Sequence, residues 1–131
     1  MHRIHGSALK LFFEKVSKEP WYKNTLFVFT ADHTNSPERP EYETESGLFS
    51  VPVVFYQPGS NLKGFRKDVI AQQIDIMPTV LGYLGYDKPF VSFGCDLLNT
   101  PAEDTYAVNY INGIYQFFKG TIYCSLMAGT P

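Results

Sequence analysis

Asn24-Thr25-Leu26-Phe27-Val28-Phe29-Thr30-Ala31-Asp32-His33 is the stretch on which the reading of this chain turns. Seven residues, Thr25 to Ala31, form an apolar run rich in β-formers, and a carboxylate and an imidazole follow at once. A run apolar on both faces predicts a central strand of a parallel sheet, covered on both sides. In open α/β sheets, ligands gather at the carboxyl ends of strands, where Asp32 and His33 stand. Carboxylate oxygen and neutral imidazole nitrogen both donate electron pairs to divalent cations, so Asp32 and His33 are the candidate metal ligands.

Before this run, Leu9, Phe12, Phe13 and Val16 fall at helical spacing, with Lys10, Glu14, Lys15 and Lys18 on the other face. The pattern predicts an amphipathic helix of about three turns. It ends at Glu19-Pro20, because a residue before proline resists helical geometry. After the run, residues 34–50 are polar and irregular, a long loop leaving the candidate metal edge. Val53-Val54-Phe55-Tyr56 predicts a second strand, with Pro52 before it and Pro58-Gly59 closing it. Residues 59–68 read as an exposed basic loop carrying Lys63, Arg66 and Lys67.

Asp75-Ile76-Met77-Pro78-Thr79 predicts a helix start, with Asp75 as cap and proline tolerated in the first turn. Val80, Leu81 and Leu84 supply its apolar face, and Gly85 suits the position just past its end. The period then changes. Tyr106 to Ile111 alternates, Asn112-Gly113 is a strong hairpin signal, Ile114 to Phe118 returns, Lys119-Gly120 turns, and Thr121 to Met127 forms a third strand. Helix, strand and loop followed by an antiparallel meander make an α/β chain with a meander appended.

Composition bounds the function. The chain has 131 residues, 44% hydrophobic and 18% charged, with net charge −2. No basic run is present, so nothing marks a nucleic-acid footprint. No apolar stretch approaches the roughly 20 residues of a membrane span, and no signal peptide is visible. The aromatic share is 16%, with eleven Phe and nine Tyr, which favours a substantial sheet. Cys95 and Cys124 read as two separate thiols. His2 and His5 stand at i, i+3 near the terminus with no acidic partner, and read as solvated; Arg39 reads as an exposed charge. Thr34 is either a supporting group for the pair before it or a turn hydroxyl. Thr44 and Ser46 have no base at recognisable spacing and are not nucleophile candidates.

Four stretches in order resemble the sulfatase family of the alkaline-phosphatase superfamily, in particular the bacterial membrane-anchored branch of phosphoglycerol transferases and lipoteichoic-acid synthases. They are Asn24 to His33, Val51-Pro52-Val53-Val54-Phe55-Tyr56-Gln57-Pro58-Gly59, Gln73-Ile74-Asp75-Ile76-Met77-Pro78-Thr79-Val80-Leu81 with Gly85, and Phe93-Gly94-Cys95-Asp96-Leu97-Leu98. The resemblance implies a partial alkaline-phosphatase-like sheet with flanking helices and a terminal meander. It implies that residues 1–131 are the carboxyl-terminal portion of a larger catalytic domain, about 1–98 being the α/β part and about 105–128 the meander. The family's nucleophile and its other acidic metal ligands are then expected upstream. The modified-cysteine pattern Cys-x-Pro-x-Arg is absent, since Asp96-Leu97-Leu98 follows Cys95, so neither cysteine is a formylglycine precursor. Ile4-His5-Gly6-Ser7-Ala8-Leu9 departs from the Tyr-x-Asp that often precedes Ala-Leu in the family.

The implied activity is attack on a sulfate or phosphate ester by a metal-dependent hydrolase or transferase. Asp32 and His33 would bind a divalent ion (Mn, Zn, Mg or Ca), with the full-length protein in the cytoplasmic membrane and its catalytic domain outside. Expected partners are the ester and the remainder of the catalytic domain, not nucleic acid. Two ligands alone hold a cation weakly, so the chain by itself is expected to be inactive. Open strand edges predict some self-association. A non-catalytic α/β interaction module is the other reading of the same pattern.

Overall fold

The computed structural model describes residues 2–34, 39–44 and 46–127, with the side chains of residues 2–5 and 41 excepted. It is a mixed α/β chain, as the sequence predicts, and divides into two compact units. The first comprises residues 1–29 and 54–64, the second residues 30–53 and 65–131.

The first unit is built on helix α1 (His2–Val16), four turns rather than three. Its end is tightened by bonds from the Lys18 and Glu19 amides to the Lys15 and Val16 carbonyls, just before Pro20. Strand β1 (Phe27–Thr30) pairs with β2 (Val53–Tyr56) in a two-stranded sheet. β1 is shorter than the apolar run. Thr25 is drawn back into the preceding 3₁₀ turn, its amide bonded to the Tyr22 carbonyl and its hydroxyl to that of Trp21. The expectation of a two-sided central strand is not met among the described residues, where β1 has β2 as its sole neighbour. Phe27 is buried, Val28 and Phe29 are half-buried, and Thr30 is exposed.

Aromatic rings hold this unit together. Phe13 lies 5.3 Å from Phe12 and Phe27, 5.6 Å from Tyr56 and 5.8 Å from Phe29, mostly edge to face. Such pairs add about 0.5–1.5 kcal/mol each beyond the area they bury. The Tyr22 and Tyr56 hydroxyls meet at 3.1 Å, and that bond holds the Tyr22 phenol above its ordinary pKa. An open apolar groove of about 460 Å³ runs along Leu9, Phe13, Tyr22, Phe29, Val54 and Tyr56.

In the second unit, helix α2 (Ile76–Tyr83) follows a 3₁₀ turn at Gln73–Asp75. Its end is a Schellman closure. The Tyr86 amide reaches the Leu81 carbonyl, the Gly85 amide reaches that of Gly82, and Gly85 takes φ +68°. The meander is an antiparallel sheet in the order β3 (Ala107–Ile111), β4 (Ile114–Lys119), β5 (Ile122–Met127). Tyr110 faces Tyr115, and Phe117 faces Cys124. Asn112 and Gly113 take φ +52° and +80°, the left-handed pair that a tight hairpin requires. All six β5 side chains are exposed and none is charged, a strand edge open to pairing of the kind that prompts the self-association expectation.

The best-buried side chains of this unit are polar: Asp75, Thr79, Thr105 and Gln116. Burying polar groups is tolerable only when they are bonded. The Asp75 carboxylate, 1% exposed, accepts the Gln72 amide at 2.8 Å and the Cys95 amide at 2.8 Å. The Thr79 hydroxyl lies 2.6 Å from the Asp75 carbonyl and accepts the Leu97 amide at 3.0 Å. These bonds fasten the segment 94–97 to the start of α2. A Cβ at Gly94 would run into the Ile74 carbonyl, so the close approach requires glycine there.

Candidate metal centre

The chain leaves β1 at Thr30 and bends at Asp32 and His33. Ladder pairing stops there, and the carbonyls beyond the strand take side-chain donors instead. The Gln73 side-chain amide supplies them, donating from Nε2 to the Ala31 carbonyl at 2.5 Å and the Asp32 carbonyl at 3.3 Å. On the other side of the bend, the Thr34 hydroxyl donates to the Leu48 carbonyl at 2.7 Å. The bend is therefore pinned at both ends.

Within it, Asp32 and His33 face one another. Asp32 Oδ1 accepts the His33 amide at 3.0 Å, which leaves Oδ2 directed at the ring. His33 Nδ1 lies 2.8 Å from the Thr34 carbonyl, an acceptor. In the neutral ring this contact puts the proton on Nδ1 and the lone pair on Nε2. Nε2 stands 3.5 Å from Asp32 Oδ2, too far for a good hydrogen bond. A cation about 2.1 Å from each of two ligands set 90–110° apart separates them by about 3.0–3.4 Å. The Asp32–His33 separation of 3.5 Å lies just beyond that span. Both side chains are open to approach, with 71% of His33 and 87% of Asp32 exposed. Among the described residues, no group of three or more His, Cys, Asp or Glu side chains is placed to hold an ion.

The other sequence candidates sort clearly. Asp75 has a structural role, although its carboxylate caps the 3₁₀ turn through a reciprocal box with Gln72 rather than α2 itself. Thr34 contributes its carbonyl to the contact with His33 Nδ1 and its hydroxyl to a bond that fixes the loop at Leu48. Cys95 and Cys124 are both free thiols. Burial, and then the neighbouring Asp75 charge, push the Cys95 thiol above its ordinary pKa. Thr44 and Ser46 hydroxyls lie 3.2 Å apart in a turn that caps the Gly47 amide. The His2 and His5 side chains, residues 35–38 and Glu45 lie outside the described residues. The apolar groove of the first unit is lined by no carboxylate, imidazole or thiol, and so carries none of this chemistry.

Gln73 was not singled out for this site in the sequence. It lies 41 residues beyond Asp32, and a neutral amide at the start of a helical turn gives no signal of a long-range contact.

Residues 7–86, more than half of the chain, match the family model described as Sulfatase. The chain belongs to the sulfatase family. This sulfatase-family chain is 28% identical over 142 aligned residues to the lipoteichoic acid synthase-like protein YvgJ of Bacillus subtilis (strain 168). That alignment covers 92% of the chain and 22% of YvgJ. It is 33% identical over 89 residues to the multifunctional alkaline phosphatase superfamily protein PehA of Trinickia caryophylli, covering 63% of the chain and 17% of PehA. The chain therefore spans about a fifth of the length of the relatives it matches. No solved structure matches it.

Proposed function

We propose that this chain is the carboxyl-terminal part of a metal-dependent enzyme acting on sulfate or phosphate esters, and that Asp32 and His33 are two ligands of its divalent cation. The observation that carries the reading is the 3.5 Å approach of Asp32 Oδ2 to a His33 Nε2 whose lone pair is left free by the Nδ1 contact. It stands just past β1, inside the segment that matches the sulfatase family. A cation held there would polarise the ester oxygen and lower the pKa of an attacking hydroxyl. Asp32 contributes a hard anionic oxygen and His33 a neutral nitrogen, a donor set suited to Mn, Zn or Mg rather than to a thiolate-seeking metal.

The nucleophile and the remaining ligands are assigned to other parts of the catalytic domain. Thr44 and Ser46 bond each other, and Cys95 lacks the modification pattern. The same reading puts the full-length enzyme in the cytoplasmic membrane with its catalytic domain outside, supported by the family resemblance. No helix among the described residues is long and apolar enough to cross a membrane.

The test is calorimetric titration of the chain with Mn²⁺ and with Zn²⁺, beside Asp32→Ala and His33→Ala. Weak binding by the wild type, lost in both variants, is expected. Identical isotherms for all three would leave the non-catalytic module as the better reading.

A further inference from the structure

We infer that Gln73 is a positioning residue for the Asp32–His33 pair, holding the backbone from which both side chains project. The inference rests on the metal reading above and extends it to a residue outside the ligand set.

Two carbonyls just past the end of β1 point at one side-chain nitrogen. Of the two ends of a glutamine amide, only the NH₂ can face two acceptors, and its two hydrogens satisfy one each. Gln73 is itself held firmly. It opens the 3₁₀ turn Gln73–Asp75, whose flanking Gln72 and Asp75 cap each other. Asp75 is in turn bonded to the Cys95 amide, 20 residues further on. A buried hydrogen-bond hub therefore sets the position of Gln73, and Gln73 sets that of the Ala31 and Asp32 peptide groups. Without it, the anchor that remains to the bend among the described residues is Thr34, and the 3.5 Å spacing of the donors is no longer held from the Ala31 side. Exposure of Gln73 makes this separable from folding, since its side chain fills no core.

The experiment uses the full chain and Mn²⁺ alone. Paramagnetic broadening of the His33 ring signals is titrated in wild type, Asp32→Ala, Gln73→Met, Gln73→Ala and Gln73→Lys, with urea midpoints measured in parallel. Met keeps the length and loses the donors, while Lys restores a donor. Loss of a supporting partner of a metal ligand commonly weakens binding 10–100-fold; acting through the backbone, Gln73→Met and Gln73→Ala are expected to weaken Mn²⁺ about 3–10-fold. Their urea midpoints should stay at the wild-type value, and Gln73→Lys, which restores a donor but adds a positive charge near the cation, should recover part of the affinity. If wild type and Asp32→Ala respond differently but the Met and Ala variants match wild type, the Gln73 assignment is overturned alone. If wild type and Asp32→Ala respond alike, the metal reading falls and takes the Gln73 assignment with it.

Discussion

Each of the two units of this chain has its own internal chemistry, and the two are opposite. In the first, rings of Phe12, Phe13, Tyr22, Phe27, Phe29 and Tyr56 meet around α1 and the β1–β2 pair, and among the described residues its one buried apolar side chain is Phe27. In the second, the most deeply buried groups are Asp75, Thr79, Thr105 and Gln116, each polar. The apolar burial behind ring packing is non-directional and degrades gradually when one ring is removed. A buried carboxylate with two short amide donors is directional, and its loss leaves those donors orphaned. The candidate metal bend depends on the second kind of order, through Gln73 and Thr34.

The contrast predicts a ranking. Asp75→Ala should be the most damaging single change, because the Gln72 and Cys95 amides both lose their acceptor. At about 1–3 kcal/mol for each buried donor left unsatisfied, the loss is about 4 kcal/mol, read as a fall in the urea midpoint. Asp75→Asn, which keeps one acceptor oxygen, should lose about half as much. Phe13→Ala should come second. Full truncation of a buried Phe costs about 3–5 kcal/mol, and Phe13 is only half-buried, so about 2 kcal/mol is expected. A Phe13→Ala variant less stable than Asp75→Ala would reverse the comparison.

The same contrast separates what was legible in the sequence from what was not. Helix α1, strand β2 and the meander follow from local periods and from Asn112-Gly113, signals that span a few residues. The candidate pair was legible because it sits next to a recognisable apolar run. The hub was hidden. Asp75 reads as a helix cap from its neighbours, whereas its carboxylate reaches Cys95 across 20 residues. Gln73 opens one of the family-like stretches but carries no sign of this contact, yet it reaches Ala31 across 42. Polar contacts at long range leave no periodic trace, because one donor and one acceptor suffice to make them. The strand ends were misjudged for the same reason: side-chain and turn bonds at Thr25 and Ala31 capture groups that the apolar run would assign to the ladder.

The smallest expected effect tests whether the hub's charge is felt beyond its hydrogen bonds. Burial first, and the Asp75 charge second, raise the Cys95 thiol. The thiolate is the species that alkylates, so iodoacetamide should label exposed Cys124 ahead of Cys95 at neutral pH, with the gap narrowing as pH rises. A thiol whose folded pKa exceeds its unfolded value binds its proton more tightly in the native state. Its contribution is therefore complete below the ordinary thiol pKa and is lost as pH climbs toward the raised one. Asp75→Asn removes the charge and one acceptor oxygen while keeping the side-chain outline, and should speed Cys95 labelling relative to Cys124, read by peptide mass spectrometry. Unchanged labelling in Asp75→Asn would mean that burial alone sets the thiol, and that the hub organises its surroundings by geometry without reaching them electrostatically.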